Sequence, residues 1–259
     1  MQISFYKYQG TGNDFIVIDN RLSTFPKNDT KLIAKLCDRR FGIGADGLML
    51  LESHDLYDFT MVYYNADGST STMCGNGGRC LVAFAKKLGI VISEAHFEAS
   101  DGYHYAKITD DIVALKMIDV FDIKEYGACQ YVYTGSPHHV ELVTNLEEFD
   151  VKMYGSQIRY SDVYSPAGSN VNFVEQVNGN TFNVRTYERG VEDETLSCGT
   201  GVTAVAIAMN YTHKTVSSSV DLIVPGGKLQ VTFSKEGQHY KNVFLLGPAE
   251  FVFEGKIEI

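Results

Sequence analysis

The chain has 259 residues, of which 44% are hydrophobic and 21% charged, with a formal net charge of −10. That composition supplies one large or two medium domains with a substantial core and excludes a disordered chain. The acidic balance, with no run of Lys or Arg, argues against nucleic acid and anionic membrane as partners.

In chain order, Ile3 to Tyr8 and Phe15 to Asp19 read as strands around the turn Gly10-Thr11-Gly12-Asn13-Asp14. Residues 29–40 read as a helix capped by Asp29 or Thr30, with Ile33, Leu36 and Cys37 on one face. Phe59 to Tyr64 reads as a strand running into Asn65-Ala66-Asp67-Gly68. Residues 76–88 form a helix stopped by Gly89. Strands follow at Ile112 to Ile118 and Gln130 to Thr134, and residues 119–130 show no clear pattern. Asn170 to Gln176 and Thr181 to Tyr187 make a hairpin across Asn178-Gly179-Asn180. A helix over about 201–211 is apolar almost all round and therefore buried. Val220 to Val224 and Lys228 to Phe233 form another hairpin, and strands at Val243 to Leu246 and Glu250 to Phe253 close the chain.

Two segments are near-copies of each other: Met73-Cys74-Gly75-Asn76-Gly77 and Ser197-Cys198-Gly199-Thr200-Gly201. Each places a cysteine and Gly-x-Gly before an apolar helix, about half the chain apart. The sequence thus predicts an α+β protein of two similar domains, each a curled β-sheet or barrel around a buried central helix, related by pseudo-two-fold duplication. The expected domains are residues 1–121 with Cys74 and 122–249 with Cys198, with residues of about 250–259 packing back onto the first.

A helix N-terminus favours a thiolate, because its unsatisfied N–H groups carry partial positive charge. Glycines there let the backbone aim N–H groups at an anion. Two such units suit one carboxylate held between two helix ends, with its α-carbon between two sulfurs. One thiolate takes a proton from one face and the opposing thiol returns one to the other, while the cradle stabilises the developing enediolate. No cofactor is required. Lone cysteines are more often small buried hydrophobes, which is the reading for Cys37 and Cys129; Cys80 is core or a near neighbour of the site. Five cysteines without Cys-x-x-Cys make neither a disulfide framework nor a zinc site, and His138-His139 has no cysteine pair beside it. No metal is therefore expected. The N-terminus lacks a signal peptide's apolar region, so the expected compartment is the cytoplasm.

Other polar residues gather at strand ends, where function concentrates. Asn13 and Asp14 lie between two strands, Asn65 ends one and Asn170 begins another; taken singly, each asparagine reads as a turn residue serving left-handed backbone geometry. Glu188-Arg189 suits the amine and carboxylate of a zwitterion, and His138 follows Pro137 in a turn.

These residues resemble the diaminopimelate epimerase family. The matching segments are Gly10-Thr11-Gly12-Asn13-Asp14-Phe15, Gly42-Ile43-Gly44-Ala45-Asp46-Gly47, Asn65-Ala66-Asp67-Gly68-Ser69, Cys74-Gly75-Asn76-Gly77-Gly78-Arg79-Cys80, Asn170-Val171-Asn172-Phe173, Glu188-Arg189-Gly190 and Glu194-Thr195-Leu196-Ser197-Cys198-Gly199-Thr200-Gly201. The resemblance implies a pyridoxal-independent epimerase that interconverts LL- and meso-2,6-diaminopimelate for lysine and cell-wall synthesis, usually as a homodimer with the site between its domains. It makes Cys74 and Cys198 the acid–base pair, Gly75, Asn76, Gly199 and Thr200 the carboxylate cradle, and Asn13, Asn65, Asn170, Glu188 and Arg189 the grip on substrate. Three departures stand out: Ser136 where the family usually has a substrate-contacting asparagine before Pro137-His138, Gly47 where some members carry glutamine, and one extra residue over 190–195. Proline racemases and hydroxyproline epimerases also use two cysteines, but with Asp-Arg-Ser-Pro in place of Glu-Arg-Gly. Phenazine-type isomerases share the fold without the thiol pair.

Overall fold

The computed structural model describes residues 1–259. The chain divides into two compact units, Met1–Leu115 with Gly247–Ile259, and Lys116–Leu246. The sequence reading put the changes at residues 121 and 249; the units change over at Leu115/Lys116 and Leu246/Gly247.

The first unit runs β1 (Gln2–Gly10), β2 (Asn13–Asp19), α1 (Thr30–Cys37), β3 (Gly47–Glu52), β4 (Phe59–Asn65), α2 (Gly75–Lys87), β5 (Glu94–Ala99), β6 (Gly102–Thr109) and β7 (Ile112–Lys116). Neighbouring strands pair in the order antiparallel (β1–β2), parallel (β2–β3), antiparallel (β3–β4), parallel (β4–β5), then antiparallel twice (β5–β6, β6–β7). Parallel neighbours need a crossover, and α1 and α2 fill the two crossovers.

The second unit runs β8 (Ile123–Tyr126), β9 (Cys129–Tyr133), β10 (Pro137–Leu142), α3 (Val151–Arg159), β11 (Asn170–Asn178), β12 (Thr181–Glu188), β13 (Asp193–Thr195), α4 (Gly199–Tyr211), β14 (Ser219–Val224), β15 (Gly227–Glu236) and β16 (His239–Pro248). From β9 to β15 the pairing repeats: antiparallel, parallel across α3, antiparallel, parallel across α4, antiparallel, with β15–β16 antiparallel again. The duplication read from two short motifs thus extends through the strand order. The last strand, β17 (Glu250–Glu258), pairs antiparallel with β1 in the first unit.

Each unit is built on its second helix. α2 packs against β1, β2, β3 and β6; α4 packs against β9, β10, β11, β12, β14 and β15. All residues of α4 except Thr200 and Tyr211 are buried, which matches its lack of a polar face. α1 and α3 lie on separate, smaller clusters, Ile33, Leu36 and Cys37 in one and Val151 with Val171, Phe173 and Tyr187 in the other. Both are opened by an aspartate whose carboxylate accepts from the N–H three residues on, Asp29 from Leu32 at 3.0 Å and Asp150 from Met153 at 2.9 Å.

Several elements differ from expectation. α1 ends at Cys37 rather than Arg40, because Asp38 turns extended and its carboxylate accepts from the Arg40 and Phe41 N–H groups, both at 2.7 Å. α3 was not anticipated: Gly155 interrupts its pattern, yet an added Cβ there would stand 2.4 Å from Tyr187 Cβ, so the glycine lets the helix lie on β12. The patternless stretch 119–130 holds β8, whose exposed, polar residues show no alternation. β3 is a run of five buried residues, a strand covered on both faces and invisible to a period-two search.

Candidate active site

Both motif cysteines are helix N-caps. Cys74 (φ −105°, ψ 129°) precedes α2 and Cys198 (φ −125°, ψ 109°) precedes α4; neither thiol caps its own helix. Their carbonyls begin the helices, accepting from Gly78 N at 2.7 Å and Val202 N at 3.0 Å. The glycine of the second Gly-x-Gly is enforced sterically. A Cβ on Gly201 would lie 2.5 Å from Asn172 Oδ1 and 3.3 Å from Cys198 Sγ.

Around Cys74, Asn13 is the organising side chain. Its Nδ2 donates to Asp46 Oδ2 at 2.7 Å, which orients its Oδ1 towards the Cys74 thiol, 3.6 Å away, and the donating Asn76 Nδ2 at 3.3 Å. Asp46 pairs with Arg39 at 2.8 Å, and Asp14 is held by Arg39 and by Lys7, each at 2.6 Å. Burial alone would raise the Asp14 carboxyl; the two cations outweigh it and hold it at about 2. Asn65 ends β4, with its Nδ2 donating to Ser69 Oγ at 3.1 Å.

Around Cys198 the network is denser. The thiol lies 3.6 Å from Thr200 Oγ1, which is 2.9 Å from His138 Nε2 and 3.0 Å from Ser136 Oγ. Asn172, with its side chain buried, sets the tautomer of His138. Its Nδ2 donates to the His139 carbonyl at 2.8 Å and faces His138 Nδ1 at 3.2 Å, while Thr186 Oγ1 donates to its Oδ1 at 3.0 Å. With Nδ2 facing it, Nδ1 must accept; the ring proton is then on Nε2 and points at Thr200 and Ser136. Thr200, accepting there, has its own hydrogen for Cys198. Burial, reinforced by the charge of Arg189, pushes His138 down to about 3, so the ring is neutral.

That value carries a pH prediction. Unfolded, His138 takes a proton near pH 6.5; folded, it does not until about 3. The unfolded chain therefore binds more protons as pH falls, and this group's stabilisation, complete above about 6.5, is lost progressively down to about 3. Denaturant melts from pH 7 to 4 should show His138→Gln losing less stability on acidification than wild type. Equal slopes would remove His138 as the cause.

Asn170, Ser136 and Arg189 form one corner. Asn170 Nδ2 donates to the Pro137 carbonyl at 3.0 Å and to Ser136 Oγ at 3.4 Å, and its Oδ1 accepts from Arg189 N at 2.8 Å. Ser136, the departure from the family pattern, thus bridges Asn170, His138 (2.8 Å) and Thr200. The half-buried Arg189 donates through Nη1 to the Ala167 carbonyl at 3.3 Å, and Glu188 accepts from Thr195 Oγ1 at 3.0 Å. In the longer turn, Glu192 takes a positive φ of 59° and joins Gly190 N at 3.0 Å to Arg159 at 3.2 Å. Gly47, the other departure, pairs with Asn65 across β3–β4, and Tyr63 and the Tyr64 carbonyl leave no room for a Cβ.

Of the remaining cysteines, Cys37 and Cys80 are buried and inert, pushed up to about 11 and about 12 by burial. Cys129 corrects the reading as core: it is half-buried and lies with His139 and Glu141 in a small cluster where all ligand-type atoms are within 4.8 Å. His139 there is already engaged, with Tyr164 OH at 2.8 Å and Glu141 at 3.3 Å. Four site residues were not singled out from sequence: Asp46, Arg79, Asn172 and Thr186. Asn172 was detectable, because a polar residue inside a strand buried on both faces needs a partner.

The duplicated fold and its pair of cysteine-capped helices define the class. Among solved structures the chain resembles a phenazine biosynthesis protein of the PhzF family from Bacillus anthracis (TM-score 0.80, 13% identity, 100% of each chain covered) and a probable proline racemase from Agrobacterium radiobacter K84 (TM-score 0.70, 16% identity, 99% and 93% covered). The sequence is more specific. The diaminopimelate epimerase family model matches residues 5–118 and 130–252. The chain is 61% identical to the diaminopimelate epimerase of Flavobacterium psychrophilum over 97% of its length and 99% of the relative's, and 44% identical to that of Chlorobaculum tepidum over 96% and 99%. The chain belongs to the diaminopimelate epimerase family.

Proposed function

We propose that this chain interconverts LL- and meso-2,6-diaminopimelate by two-base proton transfer at one α-carbon, with Cys74 and Cys198 as the bases and no pyridoxal phosphate, metal or nicotinamide. The observation that carries the reading is the duplicated N-cap cysteine, set into a chain that matches the family along nearly its whole length. The thiolate takes the α-proton; the electron pair passes into the carboxylate as an enediolate; the opposing thiol gives its proton to the other face. Atoms and charge balance, and the two sulfurs exchange protonation states. Helix N–H groups around Gly75, Asn76, Gly199 and Thr200 stabilise the enediolate where its charge develops. We assign Asn13, Asn65, Asn170, Glu188 and Arg189 to holding the substrate, and His138 with Ser136 to ordering the Cys198 side. No helix is long and apolar enough to cross a membrane. We further propose that the enzyme works in the cytoplasm as a homodimer, in lysine and peptidoglycan precursor synthesis.

The test is the purified chain with LL-diaminopimelate in D2O. Meso product with solvent deuterium at the inverted carbon, unaffected by chelator or dialysis, is expected. Activity restored only by an added cofactor would contradict the reading. Arg189 gives the specificity test. Lysine lacks the distal carboxylate, so it leaves the charged grip unpaired and should be a much poorer substrate. Arg189→Ala should lower kcat/KM for diaminopimelate and narrow its advantage over lysine; an unchanged ratio removes Arg189 from the specificity role.

A further inference from the structure

Arg79 is the largest fully buried side chain of the molecule, at 0% exposure. Its hydrogen bonds are long and go to neutral oxygens: Nε to the Pro248 carbonyl at 3.3 Å, Nη1 to the Gly75 carbonyl at 3.4 Å and Nη2 to Thr11 Oγ1 at 3.3 Å. A buried charge without a counter-charge is strongly disfavoured. Arg79 also lies near the start of α2, where the helix dipole is positive and a cation is misplaced. Both fields call for an anion at this helix end. The groups whose charge would balance Arg79 are Cys80 and Cys74. Cys80 is excluded, because it is fully buried and stays protonated. Cys74 is half-exposed and stands at the cap itself.

We propose that Arg79 is the buried counter-charge that holds Cys74 as the thiolate in the resting protein, leaving Cys198 as the thiol. This rests on the two-thiol reading above and adds the division of roles.

The second half of the chain supplies an internal comparison. Counting from each cysteine, the position of Arg79 is taken in α4 by Thr203, buried and neutral. Thr203 Oγ1 donates to the Gly199 carbonyl at 2.9 Å, the counterpart of the Gly75 carbonyl that Arg79 engages. The duplicated site keeps the hydrogen bond and changes the charge. From Cys198 contacts run through the Thr200 hydroxyl to neutral His138; Arg189, whose charge acts on His138, donates to the Ala167 carbonyl, and Glu188 accepts from Thr195. On the Cys74 side, Asp14 and Asp46 are matched by Lys7 and Arg39, and Glu250 is bonded by Gln9 at 2.6 Å. Asn13 Oδ1 opposes this, because it favours a protonated Cys74; that oxygen is shared with Asn76, and an amide dipole is weaker than a full charge in a dry site.

Alkylation of the intact chain tests this. Iodoacetamide is applied across a pH series and Cys74, Cys129 and Cys198 are mapped by mass spectrometry. The pH midpoint reports thiolate population, whereas access sets only the plateau rate. Cys74 should have a midpoint about one pH unit or more below that of Cys129, a half-buried thiol that burial raises. Arg79→Met should raise the Cys74 midpoint by about one unit or more and leave that of Cys129 alone, and Arg79→Lys should retain most of the shift. A wild-type Cys74 midpoint at or above that of Cys129 or Cys198 overturns the proposal, and so does an unchanged Cys74 midpoint in folded Arg79→Met. Should Arg79→Met fail to fold, the wild-type order decides by itself. The experiment needs no substrate, so a chain that alkylates as expected but does not epimerise would fail the functional reading alone.

Discussion

Alanine in place of either Cys74 or Cys198 is expected to lower the turnover of LL-diaminopimelate by about 10²–10⁴-fold, the contribution of a positioned acid or base. The loss should fall on kcat more than on KM, because the thiols act on the α-proton while binding rests with the cradle and the distal grip. Folding should be nearly unaffected, since neither side chain caps its helix. Circular dichroism and a thermal melt would separate the two effects. A variant that stays folded and keeps near-normal turnover at either position would rule out the two-base mechanism.

Asn172→Leu is expected to cost on the order of 2–5 kcal/mol of stability, a large single-residue effect with a named cause. The amide is buried and serves three partners at once: Thr186 Oγ1, the His139 carbonyl and His138 Nδ1. Leucine leaves all three without it in a dry interior. Asn172→Asp makes the subtler point. Its carboxylate accepts rather than donates, so it draws the ring proton of His138 to Nδ1 and leaves Nε2 as an acceptor facing Thr200. The threonine hydroxyl then donates to the ring and turns from Cys198. Nitrogen-15 chemical shifts of His138 should report the tautomer reversed, with kcat lowered. An unchanged tautomer would show that Asn172 only packs.

The helix-end motifs were more legible in the sequence than the rest of the architecture. Cys-Gly-x-Gly before an apolar helix is a local pattern, and the backbone builds it with local forces: an extended N-cap, glycine where a Cβ has no room, and a helix that follows. Its two copies placed Cys74 and Cys198 correctly at helix starts. The all-round apolar run from Val202 to Met209 likewise announced a central helix. Elements with a weak local signature were lost. β3 is buried on both faces and does not alternate, α3 carries Gly155 for the sake of Tyr187, and β8 is short and polar.

The candidate site divides along the same line. The sequence by itself determined the two motif cysteines, their helix-end setting and the family to which their motifs belong, because each of these lies within a dozen consecutive residues. The tertiary structure alone decided what surrounds them. Asp46 turns the Asn13 amide, Asn172 sets the His138 proton, Ser136 substitutes into the Thr200 network, and Arg79 lies buried behind the first helix end, bonded to neutral oxygens. None of these relations is local. Each depends on strands far apart in sequence being brought into register, and on burial, which turns an ordinary side chain into one whose proton or charge has no solvent to balance it.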